Sequence, residues 1–202
     1  MRRSFRHLFV VLTFLGFSAS AIASADDARH FVEGVSSKAL GIIETKSFSD
    51  ADKFSKLSDL FAASVDTNWM GRFAIGQHWR NFNEDQKKNY LELYGNFLLN
   101  SYVPKFREYN NQKLDIKKIF SENANEYTVQ TEIISKEGKV FRVDYRIHTD
   151  REGTYKIFDV VAEGVSLITT QRSDFSSILA DQGADYFIGR LKERIVQLKP
   201  AS

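Results

Sequence analysis

Lys156-Ile-Phe-Asp-Val-Val-Ala-Glu-Gly-Val-Ser-Leu-Ile-Thr-Thr-Gln-Arg-Ser-Asp-Phe175 carries an apolar run into a helix through a single corner, and the reading of that corner decides the fold. Ile157 to Ala162 is a strand by composition, rich in β-branched residues and bounded by a turn signal. Glu163-Gly164 makes the turn, because glycine adopts tight backbone geometry without a side-chain penalty. Ser166 then offers an oxygen to an orphan amide of the first helical turn. A strand leads into a helix with almost no linker.

Working upstream, the chain alternates at period two. In Val140 to Thr149, Phe141, Val143, Tyr145 and Ile147 point one way, while Arg142, Asp144, Arg146 and His148 point the other. The preceding strand sets Tyr127, Val129, Thr131 and Ile133 on one face. Lys136-Glu137-Gly138 is the hairpin turn between the two, and Asp150 to Gly153 a second turn. An antiparallel sheet with one wet and one apolar face needs helices over the apolar side. The expected class is α+β, a curved antiparallel sheet covered by helices on its concave face, with an apolar pocket between them.

Helical periodicity governs Ala28 to about Tyr109 and returns from Leu167 to Leu198. Phe31, Val35, Ala39 and Ile42/Ile43 mark one face, and Phe54, Leu57, Leu60 and Phe61 another. Asn83, followed three residues later by Gln86, forms a reciprocal cap at the start of the next helix. Its broad aromatic side carries Tyr90, Leu91, Tyr94, Phe97, Leu98, Ser101 and Tyr102 before Pro104 kinks or ends it.

The first 25 residues read as an export leader, and 26–202 as one domain. Arg2, Arg3 and Arg6 make a basic start, Leu8 to Phe17 is apolar, and Ala23-Ser24-Ala25 is a cleavage pattern. The apolar run is about half the ~20 residues that span a bilayer as a helix. Of 28 Lys+Arg and 26 Asp+Glu, the leader holds three arginines and no acid, so the remainder carries 25 against 26, a net charge of −1. That balance leaves no electrostatic footprint for nucleic acid. Cysteine is absent, which excludes disulfides, a thiol nucleophile and a lipid-modified cysteine anchor.

Chemistry is sparse. His30, His78 and His148 lack metal-ligand spacing, and His148 shares a wet strand face with charged neighbours, so each is expected at the surface or at an interface. There is no nucleophile elbow and no glycine-rich phosphate loop. Asp66, Asp159 and Glu163 are candidate acids. For the last two, a structural role is favoured, tying the strand-helix corner to Arg72, Arg80 or Arg172.

The order Asp66, Arg72-Phe73-Ala74-Ile75-Gly76, Trp79-Arg80, Gln86, Tyr90, Tyr94 and Tyr102, then Asp159, Glu163-Gly164-Val165-Ser166-Leu167, Gln171-Arg172, Phe175 and Gly183, resembles the MlaC family, also described as toluene-tolerance auxiliary proteins. The resemblance implies a periplasmic phospholipid carrier that shuttles lipid between the outer and inner membranes and maintains outer-membrane lipid asymmetry. It implies no catalysis and no cofactor beyond phospholipid as cargo. The implied partners are an outer-membrane lipoprotein-porin complex and an inner-membrane ABC transporter with its substrate-binding protein ring. A carrier is physically necessary: exposing some thirty methylenes of a diacyl lipid costs on the order of 25 kcal/mol at roughly 0.8 kcal/mol each.

The expected lipid-binding residues are Phe97, Leu98 and Tyr102 facing Val129, Phe141, Val143, Tyr145 and Ile147, with Val165 and Leu167 near the rim. Tyr94 belongs to the same helix face, and Trp69, Phe73 and Trp79 line the space or pack behind it. An ordinary close-packed core would use the same aromatic stripes. Two alternatives stand beside the carrier. A cone-shaped isomerase or dehydratase would place His78 or His148 inside, within hydrogen-bond reach of Asp66 or Asp159. A protein-binding adaptor would have a filled core.

Overall fold

A computed structural model of the chain describes residues 24–108, 112–150 and 152–198. The expected leader up to residue 23, and Pro200, lie outside them. The order is α1 (Ala25–Glu44), α2 (Asp50–Ser64), α3 (Thr67–Ile75), a 3-10 turn (Gly76–Asn81), α4 (Glu84–Tyr102) and a second 3-10 segment (Val103–Glu108). Then come β1 (Lys113–Ser121), β2 (Glu126–Ile134), β3 (Val140–Thr149), β4 (Tyr155–Ala162), β5 (Val165–Ser166) and α5 (Leu167–Leu198). The strands form one open antiparallel sheet in the order β1-β2-β3-β4-β5, so the α+β class holds.

Local chemistry sets the boundaries. Asn83 Oδ1 accepts from Gln86 N at 2.8 Å, while Gln86 Oε1 accepts from Asn83 N at 2.9 Å, the reciprocal cap expected of α4. The helix gives way to a 3-10 segment one residue before Pro104. The β2-β3 turn uses Gly138 at φ 79°. Between β3 and β4, Asp150 Oδ1 accepts from the amides of Glu152 and Thr154. Ser166 Oγ accepts from Thr169 N at 3.2 Å and so caps α5.

Three features depart from the expectation, and a fourth, the break in α5, refines it. α1 begins at Ala25, with Ser24 and Asp27 in a capping box, so its first turn overlaps the last two residues assigned to the leader. Its buried face is Ala28, Val32 and Ala39, which puts Val32 rather than Val35 inside. α5 breaks at Gly183, whose φ of 77° and ψ of −178° are not helical. Finally, the register of β3 against β4 slips between Arg146 and Ile147, leaving Phe158 as the extra residue of a bulge.

That bulge redistributes the layers. α1 packs on the apolar face, where Ala28 and Val32 meet Tyr127, Val129, Ile147 and Ile157. Phe158 instead joins the largest cluster, built from Met70, Ala74 and Ile75 of α3, Tyr90, Tyr94 and Leu98 of α4, and Phe175, Leu179 and Phe187 of α5. The face expected to be wet is therefore covered along β4. A one-residue slip sends a side chain through to the opposite face.

Candidate functional site

The apolar face of the sheet changes character along its length. At the α1 end, Val129 and Ile147 are completely buried. Tyr145, paired with Val129 and with Val160, is half-buried, as is Val143, which pairs with Thr131 and Ala162. At the far end Phe141 is 48% exposed, and Val165, paired with Ala162, is 62% exposed. Val140, next to Phe141 in the strand, is 53% exposed on the other face. Large apolar residues left contiguous and open mark a binding surface more often than a defect.

The helix-borne residues lie in the other cluster. Tyr94 and Leu98 are enclosed, with the Tyr94 hydroxyl donating to Gln171 Oε1 at 2.5 Å. Phe97, Tyr102 and Leu167 pack half-buried against the same group. Trp69 stacks on Phe73 with centroids 5.3 Å apart and meets Phe158 edge-on at 4.8 Å, so both aromatics of α3 brace β4. Trp79 lies beneath two cations, Arg72 at 5.2 Å and Lys87 at 5.5 Å. The predicted residues thus fall into two clusters against opposite faces of the sheet, so the helix-borne group does not face the strand-borne group across one space; Val65, at the sheet edge, packs against both.

Asp159 carries the strand-helix corner, with partners other than those expected. It is fully buried, accepts from Ser166 Oγ at 2.7 Å and from Ile168 N at 3.2 Å, and lies 3.6 Å from Arg146 Nη1. Glu163 Oε1 accepts from the Arg142 amide at 2.5 Å. Arg172, expected as an ion-pair partner here, instead stacks on Phe73 at 4.8 Å. The tie is structural, as favoured, but Arg146 makes it.

Of the two positions expected for His148, surface or interface, it takes the interface, between β3 and the start of α3. Its side chain is 13% exposed, and Nε2 lies 3.0 Å from Asp66 Oδ2. The bulged Phe158 and Trp69 flank the imidazole at 5.1 and 6.0 Å. Asp66 also caps α3 by accepting from Trp69 N at 2.9 Å. The hydrogen bond from His148 holds the Asp66 carboxyl below the usual carboxylate range, against the opposing effect of burial and with further help from the Trp69 amide. A depressed folded-state pKa contributes stability that is present above the unfolded value of about 3.9 and is lost as pH falls through the folded value. Asp66→Asn, which keeps a capping oxygen, should flatten the acid-side fall in stability below about pH 4, measurable by urea midpoints across pH.

Elsewhere, a polar groove of about 520 Å³ runs between the start of α4 and the second half of α5, beside Asn83, Gln86, Asn89, Asp185 and Lys192. Gln86 Nε2 donates across it to Asp185 at 2.6 Å. No expected site residue lines it. Among the described residues no group of three or more His, Cys, Asp or Glu could hold a metal ion, and no helix is long and apolar enough to cross a membrane.

The architecture defines an α+β domain whose helices roof an open antiparallel sheet, with apolar side chains bare at one end of it. Residues 33–193 match the MlaC protein family, and the chain belongs to that family. It is 23% identical over 136 residues to the intermembrane phospholipid transport system binding protein MlaC of Haemophilus influenzae, covering 66% of this chain and 64% of that one. It is 26% identical over 136 residues to the toluene tolerance protein ttg2D of Pseudomonas putida, covering 67% of this chain and 56% of that protein. These matches span less than two thirds of either relative's length. In fold it is similar to the phospholipid-binding protein from Ralstonia solanacearum, solved in complex with a phospholipid. That likeness has a TM-score of 0.75 at 20% identity and covers 85% of this chain and 98% of the other.

Proposed function

We propose that this chain is a periplasmic phospholipid carrier, exported by a leader of residues 1–25, that moves lipid between the outer and inner membranes and so maintains outer-membrane lipid asymmetry. The observation that carries this reading is the sheet face that passes from buried Val129 and Ile147 to exposed Phe141 and Val165. Acyl chains can cover that surface in the way side chains cover the other end. Membership of the MlaC family, and relatives named for phospholipid transport, support the same cargo. Trp69, Phe73, Trp79, Tyr94, Phe97, Leu98, Tyr102 and Leu167 back that sheet from its opposite face. Val129, Phe141, Val143, Tyr145, Ile147 and Val165 form the sheet wall. The carrier catalyses nothing; its partners are the outer-membrane lipoprotein-porin complex and the inner-membrane ABC transporter with its substrate-binding ring. Native mass spectrometry of protein purified from its own periplasm should show mass additions of phospholipid size. Apo mass alone, with no lipid in an organic extract, overturns the proposal.

The Asp66 and His148 pair favours a second reading, the cone-shaped isomerase or dehydratase, since it meets the geometric condition for an internal acid-histidine pair. Against it, both Asp66 oxygens are committed, one to the Trp69 amide and one to His148. Two aromatic rings also wall the imidazole. A tie between α3 and β3 lowers the melting temperature in His148→Ala by several degrees, about what losing 1–2 kcal/mol does in a domain this size. An unchanged melting temperature supports the enzyme instead.

A further inference from the structure

A tyrosine hydroxyl folded into an interior ordinarily finds a hydrogen-bond partner. Tyr90 donates to Gly71 O at 2.8 Å, Tyr94 to Gln171, Tyr127 to Ala124 O at 3.4 Å and Tyr155 to Ser24 O at 3.1 Å. Tyr102 and Tyr145 have no such partner among the described residues, and neither hydroxyl oxygen is sealed from accessible space. Tyr102 ends α4 with Lys105 Nζ 5.2 Å above its ring, a setting of mixed polarity. Tyr145 differs. It stands in the middle of β3 with Val129 and Val160 as its cross-strand neighbours, and Val143 and Ile147 two residues away on the same face. The nearby Thr131 hydroxyl is already spent on Val143 O. Half-buried between those apolar neighbours, its hydroxyl oxygen meets a recessed space rather than open water, and burial pushes its pKa up.

A lone donor in an apolar wall, midway between the covered end and the bare end, selects a particular kind of acceptor. A phosphate there would have to shed its hydration inside an apolar recess, which is costly for a charge. An ester carbonyl is neutral and lies where the glycerol meets the tail. We propose that the Tyr145 hydroxyl donates a hydrogen bond to an acyl-ester carbonyl of the bound lipid and so sets the depth at which the cargo seats. This inference rests on the carrier reading and adds a selectivity to it: ester-linked over ether-linked chains, whatever the head group.

The test loads delipidated protein from vesicles holding equimolar diester and diether phosphatidylethanolamine of equal chain length, and reads the bound ratio by mass spectrometry. The unmodified protein should take up the ester form about fivefold more, the factor one ordinary hydrogen bond supplies. Tyr145→Phe should bring the ratio near one with an unchanged melting temperature, because no internal hydrogen bond is lost. Equal uptake by the unmodified protein, a preference kept by Tyr145→Phe, or a variant that melts several degrees lower overturns the inference while leaving the carrier intact. Uptake of neither lipid overturns the carrier reading and this inference with it.

Discussion

Asp159→Ala lowers the unfolding free energy by about 2–4 kcal/mol, what leaving a buried amide and a hydroxyl without their acceptor costs. The size follows from what the carboxylate holds together. Ser166 Oγ and the Ile168 amide both donate to it, and Arg146 stands 3.6 Å away with its guanidinium over the Phe158 ring. Alanine leaves a buried amide at the start of α5 and the Ser166 hydroxyl without their acceptor, each loss on the order of 1–2 kcal/mol, while Arg146, 39% exposed, stays solvated. Asp159→Asn, which retains a carbonyl oxygen, should cost less than half as much. Urea unfolding with an unchanged denaturant slope measures both. A loss under about 1 kcal/mol for alanine means that the corner is held by something other than this carboxylate.

Val143→Arg reduces phospholipid loading at least tenfold while lowering stability by only about 1 kcal/mol. Val143 is half-buried between Phe141 and Tyr145, at the passage from covered to bare sheet. A long side chain there can lay its stem on the apolar wall and extend its charged head past Phe141 to water, so folding suffers little. The stem then fills the volume meant for a tail, and an acyl chain cannot settle beside a guanidinium without large desolvation. Bound lipid per protein, from extraction of the folded fraction, is compared with the unfolding midpoint. If the two fall together, Val143 is ordinary core and the sheet wall is not a lipid wall.

Much of the architecture was legible because local signals agreed with one another. The Asn83 and Gln86 cap, the Gly138 hairpin and the Ser166 cap each rest on residues within three positions of one another, so they survive whatever the rest of the chain does. The bulge at Phe158 was not legible. Period-two alternation assigns faces only while the register holds, and the slip between Arg146 and Ile147 depends on how β4 meets β3, a long-range fact. From that one residue follow the covering of the wet face and the enclosure of His148 against Asp66. For the site, the aromatic and aliphatic members were readable as apolar, but which are sealed and which stay open was not. Tyr94 and Phe141 look alike as members of a stripe; one lies under α5 and the other beyond the reach of α1. Tyr145 reads as apolar lining, whereas the lack of a partner for its hydroxyl among the described residues shows only when every neighbour's hydrogen bonds are known.

The break at Gly183 folds the second half of α5 back so that Phe187 meets both Tyr90 and Phe175, and Ile188, Leu191 and Ile195 join the same interior. A nascent chain emerging from the ribosome therefore lacks the keystone of its largest cluster until residue 195 is out. Up to that moment the cluster of α3 and α4 lacks the side that Phe187, Ile188, Leu191 and Ile195 supply. For the exported carrier proposed above, which would thread a translocation pore in extended form, such tardiness keeps a compact body from forming in time to jam the passage.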